Sequence, residues 1–216
     1  MINFKKGSAP RCLIQKGNGT TQNYIVWANK WNAKLMLTPP NKSWNWYIYK
    51  GTSVNSILIE KLRKLTDSHC SFCDNYAPEA DSDSIEHLLP KMIFPLKSFT
   101  WTNLFLSCTG CQKRAKGWKK YESKIRSVLK PDIKSYSFEK YFYYDTRNGE
   151  IIVNKIGTSK RDQERADLTI KHFQLNEFSR PASRKGFHKR FYSSGSVTKI
   201  KTGFNINELP YRSMYQ

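Results

Sequence analysis

Four of the five cysteines in this 216-residue chain form two close pairs. Each pair has Cys-x-x-Cys spacing, so each short loop can present two sulfur ligands to one edge of a tetrahedral metal site. A closed shell of four thiolates leaves no position for water, and we therefore expect a structural metal, zinc. The predicted ligands are Cys70, Cys73, Cys108 and Cys111.

A Glu86-His87 dipeptide lies between the two cysteine pairs, and Asn103 follows it. Histidine suits general-base chemistry because its unperturbed pKa of about 6.5 lies near working pH. The neighbouring carboxylate offers a hard oxygen ligand for Mg²⁺ or a similar ion. Together they suit phosphodiester hydrolysis, which needs an activated water and a cation on the scissile phosphate. Two alternatives stay open: His87 as a structural or spare zinc-binding histidine, and His69 as a rival zinc ligand.

The elements around these residues are predicted to form a ββα unit. Residues 84–89 read as a short strand, and 101–106 alternate as a second strand should, with a loop over 92–100 between them. A helix is predicted over 111–129, with an apolar stripe and a strongly basic face. Apolar residues at helical spacing predict a further helix over 53–65 that leads into the first cysteine pair.

The flanking regions carry weaker signals. Asn148-Gly149 between two apolar runs predicts a β-hairpin, and Ser159 with Asp162 resembles a capping box that opens a helix. The aromatic residues of 44–49 are expected mainly to pack in a core. We divide the chain into an aromatic and basic N-terminal extension (1–52), a zinc-stabilised core (53–130), and a C-terminal hairpin, helix and basic tail (131–216). A charge run in that tail is interpreted as solvated or as contacting phosphates.

The charge balance favours a polyanionic partner. The chain has 37 Lys and Arg against 17 Asp and Glu, a net charge of +20, and 14% of its residues are aromatic. This combination favours nucleic acid. With no signal-peptide pattern or long apolar run, we expect a cytoplasmic protein and no membrane partner. In that reducing compartment paired cysteines more often hold metal than form disulfides.

Three runs of the sequence together resemble the HNH endonuclease superfamily. They are Cys-Ser-Phe-Cys-Asp at 70–74, Ile-Glu-His-Leu-Leu-Pro-Lys at 85–91 and Trp-Thr-Asn-Leu-Phe-Leu-Ser-Cys-Thr-Gly-Cys-Gln-Lys-Arg-Ala-Lys-Gly at 101–117. The similarity is greatest to the nuclease subunit of Septu-type anti-phage defence systems, some of them attached to retrons. It is strong over residues 49–125 and weaker over 159–184.

The resemblance implies an α+β fold built on a zinc-stabilised ββα-metal core. It makes His87 the general base, Glu86 a ligand of a catalytic divalent ion such as Mg²⁺, and Asn103 the residue that holds the loop and orients the histidine. The third motif position, usually His or Asn, is Gln112 here, with Lys113 as the alternative occupant. A glutamine can offer its carbonyl oxygen to Mg²⁺, whereas a lysine cannot.

The basic face of the predicted helix is expected to contact a nucleic-acid backbone. The residues expected to bind it, including one lysine of the Glu-His motif run, are Lys91, Lys113, Arg114, Lys116 and Lys120. By resemblance, the protein partner is an SMC/ABC-type ATPase subunit. In retron versions a reverse transcriptase and its RNA–DNA product are added.

Two functions from different classes follow. The first is a metal-dependent endonuclease that serves as a defence effector, with DNA as the default substrate and structured RNA such as tRNA as the alternative. The second is a non-catalytic, zinc-stabilised nucleic-acid-binding adaptor, which Gln112 at the third motif position favours. A zinc scaffold that only bridges proteins fits the charge of the chain less well.

Overall fold

The computed structural model describes residues 1–16, 20–76, 83–115, 123–177, 179–192 and 206–215, which form a mixed α+β protein. The helices are α1 (Arg11–Ile14), α2 (Asn23–Leu35), α3 (Val54–Thr66), α4 (Thr109–Ala115), α5 (Phe138–Tyr141), α6 (Lys160–His172) and α7 (Arg180–Tyr192). The strands are β1 (Ile48–Tyr49), β2 (Thr52–Ser53), β3 (Asp83–His87), β4 (Leu104–Cys108), β5 (Phe142–Asp145) and β6 (Glu150–Val153). None of the helices in these ranges has the length and apolar character needed to cross a bilayer.

Strands β3 and β4 form the antiparallel ribbon that carries most of the motif residues. Asp83 pairs with Cys108 at one end, and His87 pairs with Leu104 at the other. We call these the cysteine end and the histidine end of the ribbon. Helix α4 follows β4 directly and packs against both strands, so the predicted ββα order is present.

The two faces of the ribbon belong to two different hydrophobic cores because strand side chains alternate between faces. Ile85 and Leu104 enter the first core, which also holds the buried side chains of α2 and α3. Phe105 enters the second core, which holds the cysteine loops, the hairpin and α6. The first core contains Leu13, Trp27, Leu58, Leu62, Phe99 and Leu106, and the second contains Phe72, Ile125, Leu129, Phe142 and Phe173.

Strand β4 begins later than predicted. Residues Trp101–Asn103 form a 3-10 turn, and the strand starts only at Leu104, so the predicted strand over 101–106 is wrong in its first half. The turn buries the side chains at its two ends and exposes Thr102 between them. This burial pattern imitates the period-two alternation of a strand.

The helix predicted over 111–129 is also wrong in extent. Helix α4 is described to Ala115, and residues 123–127 have 3-10 rather than α-helical conformation. The apolar side chains of the later segment still enter the second core. Leu129 N–H donates to Thr169 Oγ1 at 2.9 Å, so α6 supplies the bond that an α-helical carbonyl would have supplied.

The helix predicted over 53–65 is confirmed as α3, which buries Leu58 and Leu62 completely. Ser53 stands at its N-cap position, although its side chain makes no capping hydrogen bond. Arg63 Nε lies 2.8 Å from Asp83 Oδ2, which ties this helix to the cysteine end of the ribbon.

The predicted hairpin and capped helix are both confirmed. Strands β5 and β6 flank the Asn148-Gly149 turn, where Gly149 has a φ of +83°. A Cβ atom at this glycine would lie 2.0 Å from the carbonyl oxygen of Pro181, so a larger residue does not fit. Ser159 Oγ accepts a hydrogen bond from Asp162 N–H at 3.1 Å, as a capping residue should.

The charge run of the C-terminal segment lies partly inside the protein. Its first member, Arg184, is completely buried on α7, a helix that the sequence did not indicate. The guanidinium donates to the carbonyl oxygens of Gly149 and Leu175 at 2.6 and 2.8 Å. Arg184 therefore holds the hairpin turn and is not a solvated cation.

Candidate metal centre and candidate active site

The four paired cysteines converge on one point at the cysteine end of the ribbon. Their sulfur atoms all lie within 4.8 Å of one another, and Cys73 Sγ lies 3.7 Å from Cys108 Sγ. Tetrahedral zinc with bonds of about 2.3 Å separates its sulfurs by about 3.8 Å, whereas a disulfide requires about 2.05 Å. The spacing fits four ligands around one metal ion, and the cysteines are free thiols.

Backbone hydrogen bonds bring the first cysteine loop to the ribbon. Ser71 N–H donates to the carbonyl oxygen of Leu106 in β4 at 2.9 Å. Within the loop, Asp74 N–H donates to the carbonyl of Cys70 at 3.0 Å, which closes the tight turn. The second pair needs no such tether because it spans the junction of β4 and α4.

An arginine from α7 supports the cysteine cluster. Arg180 Nη2 donates to Cys111 Sγ at 3.0 Å, and Nη1 donates to the carbonyl of Phe173 at 3.0 Å. Burial raises the pKa of the Cys111 thiol well above its usual value, so a thiolate there needs nearby positive charge. A metal ion held by the cysteines would supply that charge together with Arg180, which also orients the Cys111 sulfur.

His69 does not compete for the metal. Its Nδ1 lies 2.6 Å from the carbonyl oxygen of Asp67, and its Nε2 lies 2.8 Å from the carbonyl oxygen of Leu209. Both ring nitrogens therefore face backbone oxygens. The alternative of His69 as a zinc ligand is excluded by these contacts.

His87 closes the other end of the ribbon in a defined orientation. Its Nε2 lies 2.9 Å from the carbonyl oxygen of Ser98. Because a carbonyl oxygen only accepts hydrogen bonds, Nε2 carries the proton and Nδ1 carries the lone pair of the neutral ring. This is the tautomer that a general base acting through Nδ1 requires.

Asn103 clamps the loop that connects the two strands. Its Oδ1 accepts from Leu89 N–H at 2.7 Å, and its Nδ2 donates to the carbonyls of Leu89 and Lys97, each at 3.0 Å. The amide is buried and uses both donors. Since Ser98 follows Lys97, the clamp also fixes the carbonyl that orients His87.

Two tryptophans cover His87. Trp46 stacks on its ring with centroids 5.9 Å apart, and Trp44 meets it edge-on at 5.4 Å. His87 is 6% exposed, whereas the two tryptophans are only half-buried. Burial, with a smaller contribution from the charge of Lys91, lowers the pKa of His87 to about 3. In this arrangement the imidazole is neutral at physiological pH and is shielded from solvent.

Helix α2 and the tryptophan cover both contact Lys91, in the loop that follows β3. Trp31 Nε1 on α2 donates to the carbonyl of Lys91 at 2.9 Å. Lys91 Nζ in turn lies 4.8 Å from the ring centroid of Trp44. The predicted backbone-binding Lys91 thus stands at the rim of the tryptophan cover, where its charge is held against an aromatic face.

Glu86 lies on the opposite face of the ribbon from His87, as strand alternation requires. It pairs with Phe105 of the second core, the core to which Cys111 of α4 also belongs. Gln112 follows Cys111 on that helix and is half-buried. The face of the ribbon that carries Glu86 is therefore the face that α4 contacts.

The remaining predicted contacts to nucleic acid are placed only in part. Lys113 and Arg114 belong to α4, whereas Lys116 and Lys120 lie outside the described residues. Three contributors were missed from sequence: the Ser98 carbonyl, the cover of Trp44 and Trp46, and Arg180. Each of them contacts a residue that is distant in sequence. The one local signal was the i, i+2 spacing of the two tryptophans, which places both side chains on one side of an extended segment.

Compared with models of known protein families and with curated proteins, the chain gives no match. Its function must therefore be argued from the site itself. Within the described ranges, the four cysteines are the one group of three or more Cys, His, Asp or Glu side chains close enough to share an ion. The molecule is thus a mixed α+β protein with a four-cysteine site suited to a structural metal.

Proposed function

We propose that this chain is a metal-dependent HNH-type endonuclease that hydrolyses phosphodiester bonds of nucleic acid. The observation that carries the proposal is the state of His87: the Ser98 carbonyl accepts from Nε2 and leaves the lone pair on Nδ1. Asn103 holds the same loop through three hydrogen bonds. Such a constellation at the end of a ribbon followed by a helix fits the HNH pattern that the sequence resembles.

Zinc is the proposed metal at the cysteine end. The donor set is four sulfurs with a separation that suits tetrahedral coordination, and zinc prefers this combination. Its proposed role is structural, because four protein ligands leave no position for water.

A second, catalytic divalent ion such as Mg²⁺ would be held by Glu86 and Gln112. A carboxylate and an amide carbonyl are oxygen donors of the kind that Mg²⁺ accepts, and few protein ligands leave room for water and phosphate. When bound, such an ion offsets negative charge on the scissile phosphate and the leaving oxygen. The shared side of Glu86 and α4 supports this assignment.

The protein residues then have distinct tasks. His87 Nδ1 takes a proton from a water molecule while the water oxygen forms a bond to phosphorus. The bond from phosphorus to the leaving oxygen breaks, and that oxygen is protonated from solvent. Ser98 and Asn103 keep the imidazole and its loop in position. The tryptophan cover must move before water and phosphate can reach Nδ1.

A cleavage assay tests the proposal. The purified chain is incubated with Mg²⁺ and either DNA or total cellular RNA, alone and with an SMC/ABC-type ATPase subunit, using His87→Ala and His188→Ala as variants. We expect cleavage by the wild type and by His188→Ala, and loss of about 10²–10⁴-fold in His87→Ala. Equal cleavage by all three proteins would overturn the role of His87. The substrate that is cut decides between DNA, the default, and structured RNA.

We further propose that the nuclease is the effector of an anti-phage defence complex with that ATPase and, in a retron context, with a reverse transcriptase and its RNA–DNA product. The sequence resemblance supports this. Co-purification of the ATPase with the chain is the expected result, and separate elution of the two proteins at micromolar concentration would contradict it.

One observation favours a second function, a non-catalytic nucleic-acid-binding adaptor. His87 is 6% exposed under its tryptophan cover, so the site as described does not admit substrate. An adaptor predicts binding of nucleic acid without cleavage, both with the ATPase and after removal of the cover by Trp46→Ala. Cleavage by Trp46→Ala that depends on His87 would exclude it.

A further inference from the structure

A cavity of about 240 Å³ lies beside the Asn103 clamp, on the side of the second core. Its walls come from three parts of the chain: the residues after β3, the loop before β4, and the 3-10 segment that replaces the end of the predicted helix. Leu88 is one wall residue, so the cavity adjoins the residue that follows His87. Nothing in the proposed catalytic mechanism uses this cavity.

The charges around the cavity are all of one sign. The ionisable side chains that line it are Lys97, Arg126 and Lys130, and none of the lining residues is acidic. The hydroxyls of Thr100 and Thr102 add neutral donors. Cations and hydroxyls around one concave site suit a phosphate group.

The basic cleft along α6 is a useful contrast. It also has several cations, but Glu164 and Asp167 line it as well. Asp167 Oδ2 lies 2.6 Å from Lys171 Nζ, so a large part of the positive charge there is already compensated. The cavity beside Asn103 therefore offers the better anion site of the two.

Two of its cations are pre-positioned by the fold. The guanidinium carbon of Arg126 lies 4.7 Å from the ring centroid of Phe94, and such stacking restrains a planar group. The carbonyl of Lys97 is one of the groups that Asn103 holds, which fixes the backbone that carries this lysine. Lys130 is partly compensated, because its Nζ lies 3.7 Å from Asp132 Oδ1.

We propose that this cavity binds a backbone phosphate of the nucleic-acid strand that is cut, next to the scissile phosphodiester. The assignment rests on the proposed function, because that function places a nucleic-acid strand next to the cavity. Arg126 would contact the phosphate oxygens through the N–H donors at the edge of its planar guanidinium, with Lys97 beside it. The contact positions the strand and carries no base specificity.

The test is the salt dependence of binding. Binding of a fluorescein-labelled DNA duplex and of a matching RNA hairpin is measured by anisotropy over a range of salt, with Ca²⁺ in place of Mg²⁺ so that the strand stays intact. The variant is Lys97→Gln with Arg126→Gln, since both side chains are exposed and their loss should not unfold the protein. The matched control is Lys61→Gln with Arg147→Gln, which removes the same charge from exposed positions on α3 and in the hairpin turn.

We expect the slope of log affinity against log salt to become less steep by about 1 in the cavity variant and to stay unchanged in the control. Equal slopes in the two variants would overturn the assignment. Inorganic phosphate serves as a second probe: saturable shifts of the Thr100 and Thr102 amide resonances with no change in slope would assign the cavity to free phosphate and overturn the backbone contact.

This outcome is independent of the catalytic one. If the slope falls while no nucleic acid is cut in Mg²⁺, the phosphate site stands and the nuclease proposal fails. If cutting depends on His87 but the slopes agree, the nuclease proposal stands and the phosphate site is wrong.

Discussion

The two ends of the β3–β4 ribbon hold two sites that are closed in different ways. They are separated by four residue steps, or about 13 Å of strand. At the cysteine end the ligands themselves form the closure: four sulfurs point at one another and Arg180 supports one of them. At the histidine end the closure is provided by Trp44 and Trp46, which belong to a segment without regular secondary structure. The comparison shows one scaffold that combines a four-cysteine cluster suited to a structural metal with a covered polar side chain.

The two ends also differ in whether a side-chain atom is left able to accept a ligand or a proton. A metal ion held by four cysteines has no open coordination position, so opening this end of the ribbon would not create a site for a ligand. His87 keeps a lone pair on Nδ1, because only Nε2 is used by the Ser98 carbonyl. We therefore expect the two ends to respond differently to substitution.

The largest effect is expected from Cys73→Ser. Loss of one sulfur ligand removes metal binding, and structural zinc typically contributes about 10 kcal/mol or more to small metal-dependent folds. We expect loss of bound zinc, measured by atomic absorption, together with loss of a cooperative thermal transition. Cys12→Ala is the control, because Cys12 is buried in the first core and outside the cluster. Unchanged zinc content in Cys73→Ser would contradict the four-cysteine site.

Replacing Asn103 with Asp tests the histidine end. The carboxylate retains an acceptor for Leu89 N–H but places oxygen against the carbonyls of Leu89 and Lys97, where Nδ2 now donates. A buried carboxylate facing two carbonyls should destabilise the protein by about 3 kcal/mol, measured by urea unfolding. Zinc content should be unchanged, since the clamp is at the other end of the ribbon. A variant as stable as the wild type would show that the clamp does not hold the loop.

Acid is expected to lower the free energy of unfolding by protonating His172, which lies beside the cysteine end of the ribbon. Burial lowers the pKa of His172 to about 4, and the next residue, Phe173, stacks on Phe72 of the first cysteine loop. Because the unfolded state binds the proton more tightly, the free energy of unfolding falls as pH drops from about 6.5 to about 4. The loss relative to His172→Gln should reach about 3 kcal/mol. His87 titrates in both proteins and cancels from the difference. Parallel pH profiles of the two proteins would contradict the assignment.

A smaller effect on stability is expected from Trp46→Ala. Loss of a half-buried aromatic side chain should cost about 2 kcal/mol, less than a fully buried tryptophan. Modification of His87 by diethyl pyrocarbonate, followed by mass spectrometry, should become faster because the imidazole is uncovered. Trp46→Phe keeps a ring on His87 and serves as the control. Equal modification rates in the two variants would show that Trp46 is not the cover.

The sequence predicted features that depend on neighbouring residues. The two Cys-x-x-Cys loops, the Asn148-Gly149 turn and the Ser159 cap each follow from local spacing, and the structure places them as expected. The Asn103 clamp followed from the resemblance, although its role in chemistry stays a prediction.

Features that depend on packing between distant segments could not be predicted. The turn at 101–103 imitates a strand because its alternate side chains are buried. The buried residues Ile125, Val128 and Leu129 have helical spacing, although only the first of them lies in the 3-10 segment at 123–127 and the other two follow it. Arg184 reads as part of a basic tail but is buried against Gly149, 35 residues away in sequence. The tryptophan cover joins residues about 40 positions apart, and no local pattern in either segment indicates its partner.

The most direct measurement is the rate of nucleic-acid cleavage in Mg²⁺ by Trp46→Ala compared with the double variant Trp46→Ala/His87→Ala. Both proteins lack the cover, so their difference isolates the histidine. We predict cleavage by the single variant at least as fast as by the wild type, and a loss of about 10²–10⁴-fold in the double variant. Equal rates in the two variants would contradict the claim that His87 is the base of this site.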